Sequence, residues 1–228
     1  MHIPDGYLGP QTYGVLYAIM APIWALASRI VRRTLSQREV PFLALGAAFS
    51  FVIMMFNIPI PGGSTGHAVG GVIVAILLGP WAALIAISIA LVIQALLFGD
   101  GGITAIGANC FNMAIVMPFI SYWTFRIAKG RGGGKRRVIA ASFLAGYVGL
   151  SVAALCAALE IGIQPIIAHS PDGRPLYAPY PLWVAVPAIT VTHLLAFSVF
   201  EGLVTALLVS YFLRHESTPF YAMKGGPL

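Results

Sequence analysis

The sequence predicts an all-α polytopic membrane protein with seven transmembrane helices. Of its 228 residues, 59% are hydrophobic and only 9% are charged, and the mean hydropathy is +0.89. These values lie outside the range of soluble globular domains. Apolar stretches also recur along the chain at roughly the 17 to 25 residues that a helix needs to cross a bilayer. Composition and segment length therefore indicate the same fold class.

The predicted helices follow one another with short connections. Six apolar stretches satisfy the length rule, at about 12–30, 41–58, 81–98, 106–126, 138–161 and 183–212. A seventh, at about 66–79, is shorter, and Gly79-Pro80 separates it from its successor because proline ends one helix and begins another. An odd number of helices puts the two termini on opposite sides of the membrane.

Basic residues indicate which side is which. Twelve of the 13 lysines and arginines follow the first, fifth and seventh predicted helices, on one face: Arg29, Arg32, Arg33, Arg38, Arg126, Lys129, Arg131, Lys135, Arg136, Arg137, Arg214 and Lys224. Because short cytoplasmic loops collect positive charge, we expect the amino terminus outside and the carboxy terminus in the cytoplasm. Confinement of these charges to loops favours membrane orientation over nucleic-acid binding as the reason for the pI of 9.6.

The chain begins Met1-His2-Ile3-Pro4-Asp5-Gly6, and a histidine in second place creates a metal chelator. A divalent cation can bind the α-amine of Met1, the deprotonated backbone nitrogen of His2 and Nδ1 of its imidazole together. Two small chelate rings then close along continuous covalent structure. We expect Met1 to be retained because the large side chain of His2 disfavours removal of the initiator methionine. These atoms fill three of four planar positions.

A second histidine, His67, is predicted to supply the fourth nitrogen. It ends the Gly/Pro-rich segment 58–67 on the same outer face, and only about 14 helical residues, or roughly 21 Å, separate it from Pro80. The hydrocarbon core is about 30 Å thick, so the segment should dip into the membrane with His67 at the bottom of an inlet. Four planar nitrogens suit Ni(II) or Cu(II), and nitrogen ligands can also capture Co(II). The alternative is that His67 only caps or packs at a helix start.

Other polar residues have weaker claims. His193 and Glu201 lie eight residues apart on roughly one face of the seventh helix, and an ionisable residue within a span indicates function. The competing interpretation is a structural hydrogen bond between helices. With Glu160, these residues are the proton carriers of an alternative function, a stand-alone ion-coupled metal permease. No nucleophile–base pair or Walker motif is present, so we predict no enzymatic activity.

Six motifs run through nearly the whole chain: MHIPDG at 1–6, PGGSTGH at 61–67, GPW at 79–81, QALLFGDGG at 94–102, GANCFNM at 107–113, and His193 followed by EGLVT at 201–205. They resemble the CbiM/NikM family, the substrate-binding S components of energy-coupling-factor (ECF) cobalt/nickel transporters. The resemblance implies that Met1, His2 and His67 are the metal ligands. One local departure, Ser64-Thr65 where the family pattern has Thr-Ser, retains both hydroxyls.

The resemblance also implies an additional amino-terminal helix before a six-helix S-component core, in the inner membrane of a prokaryotic cell. It implies no cofactor, with Ni(II) or Co(II) as the transported ligand. The implied partners are a transmembrane coupling (T) subunit, two cytoplasmic ATPases and a small accessory membrane subunit. Small residues Ala44 and Ala48 are a candidate contact for the coupling subunit, with internal packing as the alternative.

We therefore interpret residues 1–228 as a single transmembrane metal-binding domain. Residues 1–11 form an extracellular metal-chelating terminus, residues 12–212 a helical bundle and residues 213–228 a cytoplasmic tail. Asp5, Ser64 and Thr65, together with His193 and Glu201, are candidates to support the metal ligands. Asp5 in particular is predicted to orient an imidazole by a hydrogen bond.

Overall fold

The computed structural model describes residues 1–215, which are predominantly helical. The helices and strands in chain order are α1 Pro10–Thr34, α2 Val40–Met54, β1 Ile58–Ile60, β2 Ser64–Gly66, α3 Gly71–Leu78, α4 Pro80–Ile93, α5 Ile106–Cys110, α6 Met117–Lys129, α7 Lys135–Gly162, α8 Gln164–Ile167, α9 Leu182–Thr192 and α10 Ser198–His215. Three π-helical turns, at Gln94–Phe98, Phe111–Val116 and His193–Phe197, extend α4, join α5 to α6 and join α9 to α10. Most of the predicted tail 213–228, including Lys224, lies outside the described residues.

Four helical segments among residues 1–215 are long and apolar enough to cross a membrane. They are Pro10–Thr34, Pro80–Phe98, Lys135–Ile167 and Leu182–His215, and Val40–Met54 is apolar but shorter. These helices confirm the predicted all-α multi-pass architecture. The count of seven spans stays a prediction. Helix α3 has only 8 residues, or about 12 Å. The continuous helical run from α5 to α6, which contains Asn109 and Asn112, is not one of the four segments that are long and apolar enough to cross a membrane.

The long helix α7 lies at the centre of the packing and contacts α6, α9 and α10. Its buried face is rich in alanine and glycine, which lets neighbouring backbones approach closely. Gly146 shows how close this approach is, because a Cβ atom added there would lie 2.8 Å from the Cα of Gly202 in α10. A larger residue at either glycine would therefore force the two helices apart.

The connection between α2 and α3 is more regular than the irregular inlet that the sequence suggested. It is a short antiparallel hairpin that pairs Ile58 with Gly66 and Ile60 with Ser64. The chain then continues without helix to Gly70, whose φ of 71° favours glycine. Helix α3 therefore begins several residues later than the predicted boundary at about 66. His67 lies in the extended segment ahead of it, where its side chain is 1% exposed.

The break between α3 and α4 follows the prediction. Helix α3 ends at Leu78 and α4 begins at Pro80, with Gly79 between them at a φ of 91°. Proline fits the first turn of a helix because its missing N–H has no intrahelical partner there. The Gly79-Pro80 pair therefore separates two helices that composition alone would merge into one.

Candidate metal centre

The first three residues of the amino-terminal segment, residues 1–9, lie inside the bundle, whereas Asp5 and Gly6 are exposed. The side chains of Met1 and Ile3 have no exposed surface, and His2 is 2% exposed. Asn109 of α5 binds the backbone of Ile3 on both sides, accepting from its N–H at 2.9 Å and donating to its C=O at 3.1 Å. The N–H of Gly102 donates to the same carbonyl at 2.9 Å. These bonds satisfy the buried backbone that an inserted terminus would otherwise leave unpaired.

Asp5 supports the segment in a different way from the one predicted. Its carboxylate accepts hydrogen bonds from the N–H groups of Ile103 and Thr104 at 3.0 and 2.8 Å and from the Thr104 hydroxyl at 2.5 Å. These bonds lower the pKa of Asp5 although burial opposes them. Asp5 therefore orients the backbone of the loop before α5, and its hydrogen bonds do not reach an imidazole.

Farther along, the segment is attached to the loop and helices at the end of α7. Gln164 of α8 accepts from the N–H of Gly9 at 2.9 Å and donates to Thr12 at 2.9 Å. The N–H of Ala178 donates to the carbonyl of Tyr7 at 3.1 Å. The segment is thus held at both ends, and its first two residues project into the bundle.

The hairpin supplies hydroxyl groups to both ends of the first peptide unit. Thr65 Oγ1 accepts from the α-amine of Met1 at 3.2 Å and from the N–H of His2 at 3.3 Å. The hydroxyl of Ser64 donates to the carbonyl of His2 at 3.0 Å. The amine and the amide nitrogen therefore lie on the same side, within hydrogen-bond distance of one oxygen, as a chelate through both atoms requires. The structure thus brings Ser64 and Thr65 to the terminus, and their support of metal ligands stays a prediction.

The two predicted imidazoles lie against each other. The rings of His2 and His67 stack with their centroids 4.6 Å apart and 28° between their planes. His67 Nδ1 lies 3.0 Å from the carbonyl of Ala68, and a proton on Nδ1 leaves Nε2 with a free lone pair. His67 Nε2 and both ring nitrogens of His2 are buried without a hydrogen-bond partner. Buried polar atoms without partners are costly, so three in one place mark a candidate ligand site.

Burial favours the neutral form of these nitrogens. Desolvation lowers the pKa of the Met1 amine well below its usual value, although the Asp100 carboxylate partly opposes this. Desolvation lowers the pKa of His2 to about 3. Desolvation is also the main cause that lowers the pKa of His67 well below its usual value. Neutral lone pairs are available to a cation because it does not have to displace a proton from them.

Two residues next to this pocket were not among the site residues predicted from the sequence. Asp100 Oδ1 lies 3.4 Å from His2 Nδ1, and Asp100 Oδ2 accepts from Asn57 at 2.7 Å. Gln94 is fully buried at the start of a π-helical turn, and its Oε1 has no hydrogen-bond partner. Both belong to the motif QALLFGDGG, where a lone acid between glycines and a glutamine in an apolar helix were the available signals.

His193 and Glu201 are buried as predicted, but their contacts are with the backbone. Glu201 Oε2 accepts from the N–H groups of Val69 and Gly70 at 2.8 and 3.0 Å, just before α3. His193 Nδ1 lies 2.8 Å from the carbonyl of Ile189, one turn earlier in its own helix. Glu160 accepts from Asn112 at 2.8 Å. The carboxylate of Glu201 thus fixes the segment that follows His67, which agrees with the structural interpretation of that residue.

Side chains alone do not make a metal site in this part of the chain. Within residues 1–215, no group of three or more His, Cys, Asp and Glu side chains is arranged to hold a metal ion. A candidate site at the terminus would include main-chain atoms. The amine of Met1, the backbone nitrogen of His2 and the two imidazoles could provide such a set.

Comparison with known proteins gives consistent matches. Residues 2–218 match the CbiM family model, described as the cobalt uptake substrate-specific transmembrane region. The fused nickel transport protein NikMN of Rhodobacter capsulatus is 54% identical over 215 residues, which cover 94% of this chain but 62% of the relative. The cobalt transport protein CbiM of Acetohalobium arabaticum is 33% identical over 220 residues, 95% of this chain and 83% of the relative.

A solved structure, a crystal structure of a transition metal transporter, has the same fold. It superposes with a TM-score of 0.91 at 46% sequence identity, covering 99% of this chain and 97% of the other. The relatives are metal transport proteins and not enzymes. The chain belongs to the CbiM family of cobalt and nickel transport proteins.

Proposed function

We propose that this chain captures Ni(II) or Co(II) outside the cell and delivers the ion for ATP-driven import, as the S component of an ECF transporter. One observation carries the proposal: the amine and amide nitrogens at the terminus share Thr65 Oγ1 beside two stacked imidazoles with unpaired, buried nitrogens. Metal binding would give each of these nitrogens a partner.

The ligand set follows from the covalent order of the atoms. The Met1 amine, the deprotonated His2 nitrogen and His2 Nδ1 form two fused chelate rings around the ion. His67 Nε2, whose lone pair is free when Nδ1 donates to Ala68, completes a plane of four nitrogens. Because this geometry suits Ni(II) better than Co(II), we propose nickel as the preferred cargo.

Delivery requires partners, because no nucleotide-binding motif is present in the sequence. The family resemblance implies a transmembrane coupling subunit, two cytoplasmic ATPases and a small accessory membrane subunit, with the amino terminus of this chain outside. Ala44 and Ala48 of α2 are exposed and line an apolar groove with Ile89 and Ile93 of α4. An unfilled groove lined by alanines permits close approach of another helix, which favours this surface for the coupling subunit.

The alternative function is the stand-alone permease with Glu160, His193 and Glu201 as proton carriers. The hydrogen bonds of these residues to backbone or to Asn112 favour positioning roles over proton transfer. Uptake into liposomes separates the two functions. The S-component proposal predicts no metal uptake by the purified chain alone, whereas ATP-independent uptake driven by a proton gradient would support the permease.

The direct test is titration of the purified chain, with an unblocked Met1, by Ni(II) and Co(II). We expect one ion per chain and a square-planar absorption signature with nickel. His2→Ala and His67→Ala should each remove this binding, whereas His169→Ala, at an exposed histidine, should retain it. Binding that survives both substitutions would contradict the amino-terminal site.

A further inference from the structure

Asp100 lies at the boundary between the metal centre and solvent. Its Oδ1 is 3.4 Å from His2 Nδ1, and its side chain is 16% exposed where that of His2 is 3% exposed. The side chain of Asn57 donates to Asp100 Oδ2 at 2.7 Å. The N–H of Asp100 donates to the carbonyl of Gln94 at 3.1 Å. Asn57 thus holds the carboxylate, the bond to Gln94 holds the backbone of Asp100, and Oδ1 faces the proposed chelating nitrogen.

The other acids that the structure describes are engaged elsewhere. Asp5 binds the loop at residues 103–104, and Glu201 binds the backbone before α3. Glu160 accepts from Asn112, Asp172 pairs with Arg174 and Glu39 binds Ser36. Within residues 1–215, Asp100 is therefore the carboxylate that faces the metal centre.

The charge of the filled site requires such a group. A neutral amine, a deprotonated amide and two neutral imidazoles carry one negative charge, so a divalent cation leaves the chelate with one positive charge. An isolated charge in a buried site is costly unless an opposite charge lies nearby. The carboxylate of Asp100 brings the net charge of the site to zero.

The same carboxylate is more exposed to solvent than the imidazole beside it, at 16% against 3%. A fixed negative charge at the mouth of a low-dielectric pocket raises the local concentration of cations and accelerates their association. A carboxylate oxygen can also replace one water of a hydrated cation before the nitrogens do. One carboxylate at the position of Asp100 could therefore both attract the incoming cation and balance the charge of the filled site.

We propose that Asp100 receives the incoming divalent cation and stays beside the filled chelate as its counter-charge. This role rests on the proposed metal-capture function and adds an acidic residue to it. Asp100→Asn, which preserves shape and removes the charge, tests it in the full chain with an unblocked Met1. Asp172→Asn is the matched control, because it removes one charge from an exposed ion pair in a different loop.

Stopped-flow association and competition titration with Ni(II) and Co(II), at low and high ionic strength, give the required readouts. We expect Asp100→Asn to lower affinity by roughly 10–100-fold, the usual cost of removing a residue that supports metal ligands. Association should become slower and less sensitive to salt. Asp100→Glu should recover part of both losses, and Asp172→Asn should behave like the wild type.

The outcomes separate this role from the site itself. Asp100→Asn with wild-type rate and affinity, in a chain whose wild type binds metal, would overturn the role and leave metal capture intact. A wild type that binds no metal would instead refute the proposed function. If Asp100→Glu loses as much affinity as Asp100→Asn while the metal-free unfolding midpoints match, charge is not the cause and the role is wrong.

Discussion

The two buried histidine regions of this bundle differ in what their side chains contact. In the region of His2 and His67, three ring nitrogens have no partner and a terminal amine lies alongside. In the region of His193 and Glu201, one atom of each residue is bonded to backbone, and Glu201 Oε2 accepts from two N–H groups at the start of α3, while His193 Nε2 and Glu201 Oε1 have no hydrogen-bond partner. Burial of ionisable residues is common to both regions, so burial alone does not identify the ligand site.

The comparison also indicates how the two regions cooperate. The N–H groups that Glu201 binds belong to Val69 and Gly70, immediately after His67 and Ala68. A carboxylate at the amino-terminal end of a helix is stabilised by the helix dipole. We infer that Glu201 of α10 fixes the chain that presents His67, whereas the terminus and His67 supply the donor atoms. The variants that follow distinguish residues that supply metal-binding atoms from residues that hold those atoms in position.

The largest effect is expected from blocking the terminal amine. One residue added ahead of Met1, or acetylation of the amine, should abolish Ni(II) binding in titrations, because the amine is a proposed ligand and Met1 itself has no exposed surface. Adding one residue after Leu228 is the control and should not change affinity. Full binding by either amino-terminal variant would show that the amine is not a ligand.

The next effect is expected from releasing the backbone of the terminal segment. Asn109→Ala removes both hydrogen bonds to Ile3 and should lower metal affinity roughly 10–100-fold, as loss of ligand support usually does. The matched control is Asn112→Ala, which removes a buried asparagine bound to Glu160. Equal losses of affinity in the two variants would argue against a specific role for Asn109.

The pH dependence of binding should be about tenfold in affinity per pH unit between roughly pH 6 and 8. Desolvation lowers the pKa values of Met1, His2 and His67, which favours their unprotonated forms before the metal binds. Only the amide proton of His2 is then released, so affinity rises with pH with a slope of one. Calorimetry in buffers of different ionisation enthalpy measures this number. Release of two protons would show that the amine is still protonated before binding.

The smallest effect on binding is expected from Glu201→Gln, whose cost should appear in stability. Weakening two hydrogen bonds to a buried carboxylate should lower the free energy of unfolding by about 1–3 kcal/mol, and the unfolding midpoint by several degrees. Metal affinity should change less than in Asn109→Ala. Glu160→Gln is the control for loss of a buried acid. Lost metal binding with an unchanged unfolding midpoint would instead assign Glu201 to the ligand set.

Features determined by neighbours in the chain were predictable from the sequence. Hydropathy predicted the apolar helices, and Gly79-Pro80 predicted the break before α4. The proposed chelate of Met1 and His2 was recognisable because its atoms are joined by covalent bonds. His67 was recognised because it ends an unusual glycine-rich segment on the predicted outer face.

Only the tertiary structure decided which groups surround those nitrogens. Thr65 lies 64 residues from Met1 in the chain, and Asn109 lies 106 residues from Ile3. The role of Asp5 was mispredicted, and Asp100 was missed, because their partners lie in segments whose relative positions depend on packing. Sequence periodicity reports which residues are buried, but a hydrogen bond between distant segments depends on the folded geometry of both.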